Sequence, residues 1–104
     1  MLGYFTFVLH THLPYVLHHG KWPFGSDWLT EAASECYIPL LNALTVLHKR
    51  GVKAKISMDF SPILLEQLAD PLFAETFIGY CDEKIKLAEG DYQKFAATEE
   101  KYFQ

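Results

Sequence analysis

Tyr4 to Leu9 is an unbroken run of mostly apolar residues with β-branched and aromatic members, the pattern of a short strand buried on both faces, as parallel strands are. A loop rich in Pro and Gly follows. From Trp28 onward the apolar positions (Leu29, Ala32, Ala33, Cys36, Leu40, Leu44, Leu47) recur at helical spacing, which predicts a helix over 28–50. Ser26 or Asp27 can cap its start and Gly51 its end. Pro39 lies inside it, where the missing amide and the crowded carbonyl of Glu35 predict a kink. Between Val52 and Phe60 the pattern changes to strict alternation, with Ala54, Ile56, Met58 and Phe60 set against Lys53, Lys55, Ser57 and Asp59, the period of a second strand. Ser61-Pro62 and Asp70-Pro71 each place a capping side chain before a proline, and each predicts a helix start. Gly90 is expected to break the second of these helices, and 91–103 reads as a further helical stretch.

Strand, helix, strand makes a βαβ unit with trailing helices, an α/β class. Two parallel strands leave both sheet edges open, and such sheets normally grow by further βα units. The expectation is therefore an incomplete domain, with residues 1–104 forming one N-terminal portion and its C-terminal remainder absent. Leu64, Leu65, Leu68, Leu72, Phe73, Phe77, Ile78 and Tyr80 are expected in the core.

Composition narrows the function. A formal charge of −4 with dispersed Lys and Arg gives no basic stripe for nucleic acid. The apolar N-terminus lacks a basic start and is interrupted by histidines, unlike a signal sequence, and no run reaches the roughly 18 apolar residues of a membrane helix. Cys36 and Cys81 have no CxxC spacing and read as reduced, half-buried thiols of a cytoplasmic protein.

The chemistry concentrates in "FVLHTHLPY", residues 7–15. His10 and His12, two apart, project to one side of the end of the first strand if the strand continues that far. Three roles are open: ordinary histidines satisfied by backbone; metal ligands, since His-x-His after a first barrel strand is similar to metal-dependent amidohydrolases and zinc α-mannosidases; or hydrogen-bonding contacts to a hydroxyl-bearing substrate. A catalytic metal usually takes three protein ligands, and the mannosidase-like pattern has an acid where this chain has Pro14. Trp22, Phe24 and Trp28 follow closely and could offer flat faces to a sugar ring, or pack in a core. Asp59, at the end of the second strand, is the one nearby carboxylate; it reads first as a solvated or structural carboxylate, and at most as a support for the site.

"FVLHTHLPYVLHHG", "WPFG", "EAASECYIPLL", "SPILLEQLADP" and "GDYQ", in this order, resemble the N-terminal part of glycoside hydrolase family 57, and within it the α-1,4-glucan branching enzymes. The resemblance implies an incomplete (β/α)7 barrel whose first strand ends in the histidine motif. It implies a retaining reaction on α-1,4-glucan of glycogen or starch type, by a Glu nucleophile and an Asp acid/base that lie on later strands, beyond residue 104, and no metal or other cofactor. The implied substrate-binding residues here are His10, His12, Trp22 and Trp28, with no catalytic carboxylate in the chain. The alternatives are an amidohydrolase- or deacetylase-like metal site and a non-catalytic truncated product.

Because many of the apolar side chains lack partners within 104 residues, the chain expressed by itself is expected to melt without cooperativity and to aggregate. A sharp, reversible thermal transition of the monomer would contradict this.

Overall fold

The computed structural model describes residues 2–96. Strand β1 (Val8–Thr11) leads through a long loop to helix α1 (Ser26–Ala32), a π-helical turn (Ala33–Tyr37) and helix α2 (Ile38–Lys49). Strand β2 (Ser57–Phe60) follows, then helices α3 (Pro62–Ala69) and α4 (Pro71–Ala96). β1 and β2 pair in parallel, Val8 opposite Ser57 and His10 opposite Asp59. The βαβ unit and the two trailing helix starts are therefore as the sequence pattern predicts.

The strand limits are not. β1 starts four residues later than expected and reaches Thr11, and β2 keeps only the last four residues of 52–60. Alternation and apolarity mark residues able to lie in a sheet, but a strand exists only where backbone groups find a ladder partner. For the same reason β1 is not buried on both faces: Tyr4, Phe5, Phe7 and Val8 are exposed, and Thr11 alone in the strand is buried.

The helix predicted over 28–50 begins at Ser26, with Gly25 in the capping position and no side-chain cap, so neither Ser26 nor Asp27 caps it. Instead of a simple kink at Pro39, the irregularity lies just upstream. The Ile38 amide bonds to Ala33 O, five residues back, in one widened turn. A π turn accommodates an irregularity in the ladder where Pro39 can neither donate nor tolerate a close carbonyl. Gly51, at φ +76°, closes α2 as expected of a residue free to adopt the left-handed region.

Ser61 Oγ accepts the Leu64 amide at 3.3 Å, and Asp70 Oδ1 accepts the Leu72 amide at 2.9 Å, so both capping expectations hold. Gly90 does not break α4. A glycine inside a helix costs about 1 kcal/mol relative to alanine, too little to stop a helix whose neighbours are Glu, Lys and Leu. The part of the expected stretch 91–103 that follows Ala96 lies outside the described residues.

The core is small: Leu13, Val16, Leu17, Leu29 and Leu64, with Ala32, Tyr37, Leu68, Leu72 and Phe73 packed against it. On α3 the inward stripe is Leu64, Gln67 and Leu68, which turns Leu65 outward; Leu65 and, on α4, Ile78 are exposed rather than core. Phe77 and Tyr80 are half-buried. Cys36 is exposed, not half-buried, while Cys81 is intermediate. The radius of gyration is 18.5 Å, against about 13 Å for a compact domain of this length, so these residues form an elongated body. No helix among the described residues is long and apolar enough to cross a membrane.

Gln67, with no exposed surface, fastens the segment after β1 to α3. Its Oε1 accepts the amides of Val16 (2.7 Å) and Leu17 (3.1 Å), and its Nε2 donates to Pro14 O (2.9 Å) and Ile63 O (3.3 Å). Gln67→Leu, which strands two buried amides, is expected to destabilise by about 2–5 kcal/mol. Hydrogen exchange at Val16 and Leu17 should accelerate in parallel; unchanged protection of both amides would show that the clamp is not needed.

Candidate functional site

The period-2 geometry of an extended chain sets the site. Thr11 and Leu13 are buried, so His10 and His12 between and beside them turn to the opposite side. Their rings lie stacked, centroids 6.0 Å apart and planes 22° from parallel. Thr11 O accepts the Ser61 amide at 3.0 Å, which ties the end of β1 to the turn leaving β2. The two imidazoles thus emerge together at the C-terminal end of β1, side by side as the spacing predicts. His10 keeps 71% of its side-chain surface in solvent, so the described residues do not enclose it in a cleft.

Across the ladder, Asp59 Oδ2 lies 2.7 Å from His10 Nδ1. An ionised carboxylate only accepts, so Nδ1 carries the proton in this bond. The His10 hydrogen bond is the main influence holding the Asp59 carboxyl below its usual range, helped by its electrostatic interaction with His10 and by the backbone amides of Thr11 and Asp59. Sequence reasoning placed Asp59 near the site without finding this contact. The alternation that assigns it to β2 does not give the register that sets it opposite His10.

Trp22 and Trp28 belong to the loop and helix start that follow. Trp28 packs at a tilt on Phe24, ring centroids 6.2 Å apart, while Trp22 is 79% exposed after a tight turn and precedes a cis peptide bond to Pro23. Gly25 closes this loop against Gly20, whose carbonyl accepts the Ser26 amide at 2.8 Å. A Cβ at position 25 would fall 2.1 Å from that oxygen, so only glycine fits. The structure gives Trp28 an aromatic neighbour in Phe24 and stacks the histidines on each other; among the described residues no ring contact joins the two groups.

A second polar cluster went unseen in the sequence. His18 Nε2 meets Asp70 Oδ2 at 3.1 Å, and Lys21 pairs with Glu83 on α4. The Asp70 carboxyl is lowered first by the Leu72 amide it caps and then by His18. His18, Lys21 and Glu83 line a cleft of about 530 Å³ between the loop and α4, together with Leu17, Leu72 and Tyr80. The two pairs join residues 52 and 62 apart in sequence, and local pattern carries no signal of such contacts. Among the described residues, no group of three or more His, Cys, Asp or Glu side chains is placed to hold a metal ion.

The model of glycosyl hydrolase family 57 matches residues 6–103. The chain belongs to that family. Family 57 relatives agree along most of its length. It is 52% identical over 91 residues to a 1,4-alpha-glucan branching enzyme of Thermococcus kodakarensis, a match covering 88% of this chain and 14% of that protein. It is 44% identical over 69 residues to a probable 1,4-alpha-glucan branching enzyme of Mycobacterium tuberculosis, covering 66% of this chain and 13% of the relative. The crystal structure of a GH57-type branching enzyme from Pyrococcus horikoshii superimposes with a TM-score of 0.86 at 51% identity, over 96% of this chain and 18% of that one. A Thermococcus kodakaraensis GH57 branching enzyme solved with glucose and additives gives 0.83 at 50% identity, over 90% and 17%. The family 57 chain therefore spans less than a fifth of these relatives.

The lowered Asp59 carboxyl stabilises the folded state above the unfolded aspartate value, and that contribution disappears as pH falls through the lower folded value. A carbon-13 titration of the Asp59 carboxyl should give a midpoint below the ordinary aspartate value, and His10→Ala should move it upward. A midpoint indifferent to His10→Ala would refute the assignment of the shift to that ring.

Proposed function

We propose that this chain is the N-terminal part of the catalytic barrel of a retaining, α-glucan-active transglycosylase of the branching type. In this reading it supplies substrate contacts and not the reactive carboxylates. The observation that carries the reading is the stacked His10–His12 pair at the C-terminal end of β1, the end at which α/β barrels hold their active sites. Its similarity to branching enzymes over most of its length supports the substrate class, α-1,4-glucan of glycogen or starch type.

The chemistry assigns each residue a task. Retaining glycosyl transfer needs two carboxyl groups about 5–5.5 Å apart, one as nucleophile and one as acid/base. In family 57 these are a Glu and an Asp on later strands. Asp59 is already engaged by His10 and is left a supporting task. The transition state has oxocarbenium character, so hydrogen bonds to sugar hydroxyls that tighten as charge develops lower the barrier. His10 and His12 make those bonds. Trp22 and Trp28 present apolar faces on the acceptor side, where excluding water favours a second glucan chain as the group that resolves the covalent intermediate.

In the full-length polypeptide carrying this segment, His10→Ala should lower kcat/KM on amylose by about 10²-fold or more, the usual effect of removing one hydrogen bond made in the transition state. The thermal midpoint should stay near that of the parent, because His10 lies outside the apolar core. Unchanged turnover would remove His10 from the site.

A further inference from the structure

The parallel register sets His10 directly opposite Asp59 on the neighbouring strand, and both sit within two residues of the strand ends. The bond joining them, at 2.7 Å, is in the range of charge-assisted hydrogen bonds. On its other neighbour His10 is stacked by the His12 ring, so the imidazole is held by a hydrogen bond at one nitrogen and by a ring alongside. Among the described residues, Asp59 and His12 are the titratable groups that meet it.

We propose that Asp59 is the positioning residue of this site, accepting a hydrogen bond from the Nδ1–H of His10 and so leaving Nε2 as a hydrogen-bond acceptor aimed at a substrate hydroxyl. The inference rests on the reading of His10 as a substrate contact and adds what makes that contact chemically specific. An imidazole free to exchange tautomers offers a donor or an acceptor at Nε2; one whose Nδ1–H is committed to a carboxylate offers, when neutral, only an acceptor. A sugar hydroxyl that donates to Nε2 gains electron density on its oxygen. That density offsets the positive charge developing on the sugar ring, so the bond strengthens in the transition state. The backbone amides that favour ionised Asp59 keep the carboxylate in its accepting form. A hydroxyl-rich neutral ligand suits this arrangement, whereas an anion would find no donor at neutral Nε2.

The test is a double-mutant cycle in the full-length polypeptide, assayed on amylose. Asp59→Ala should lower kcat by about 10- to 100-fold, the scale on which orienting partners of histidines act, with little change in KM. Asp59→Asn should recover part of the loss, because its amide oxygen accepts the same Nδ1–H. Adding Asp59→Ala to His10→Ala should produce no further loss, since Asp59 acts only through that ring. Losses that multiply independently would overturn the proposal. A second readout does not depend on activity: nitrogen-15 spectra of the histidine side chains should show His10 protonated at Nδ1 in the parent and redistributed toward Nε2 in Asp59→Ala. A parent spectrum with the proton at Nε2 would overturn the proposal even if both variants were slow. If His10→Ala alone leaves turnover unchanged, the substrate-contact reading fails and the role of Nε2 falls with it, while the spectra still decide whether Asp59 fixes the ring.

Discussion

The parallel pairing of β1 with β2 is the constraint on which the site depends. It is only four residues long on each strand, yet it fixes which side chain of one strand faces which of the other. Because side-chain direction alternates with each residue, a slip of one position would bury the histidines and turn Thr11 and Leu13 to solvent. The register is secured beyond the ladder by the Ser61 amide on Thr11 O and by the helix that Ser61 and Pro62 start. The βαβ topology thereby turns a loose proximity in sequence, separated by 49 residues, into a hydrogen bond between His10 and Asp59.

A buried amide performs the corresponding task for the segment after the strand. Gln67 satisfies two amides and one carbonyl of 14–17 and one carbonyl of its own helix, leaving no side-chain donor or acceptor unused. Leucine would fill a similar volume but could not accept two backbone amides, and buried amides without partners are costly. The segment is thus tied down just downstream of the two imidazoles, against a core of five leucine and valine side chains.

Much apolar surface remains open. Phe5, Phe7 and Val8 before and in β1, Leu41, Val46 and Leu47 on α2, and Ile85 and Leu87 on α4 are all exposed. Among the described residues both sheet edges are also open, and the chain spans less than a fifth of its relatives. Exposed edges and apolar faces of this extent are what additional βα units normally cover. The cleft beside α4 differs, because the His18–Asp70 contact and the Lys21–Glu83 pair beside it already tie the loop to the helical segment.

The sequence by itself determined the class of the fold, the two proline-marked helix starts and the common side of His10 and His12, since each follows from local rules: period, capping geometry and alternation. It also held the family motifs intact along almost the whole chain. Tertiary structure alone decided where the strands begin, because a ladder needs a partner and residues 4–7 and 52–56 lack one. It decided that Leu65 and Ile78 face outward, since a generic apolar preference gives way to the position of the core. It decided the partnership of Asp59 with His10, because register is a relation between strands and no local pattern in either one encodes it.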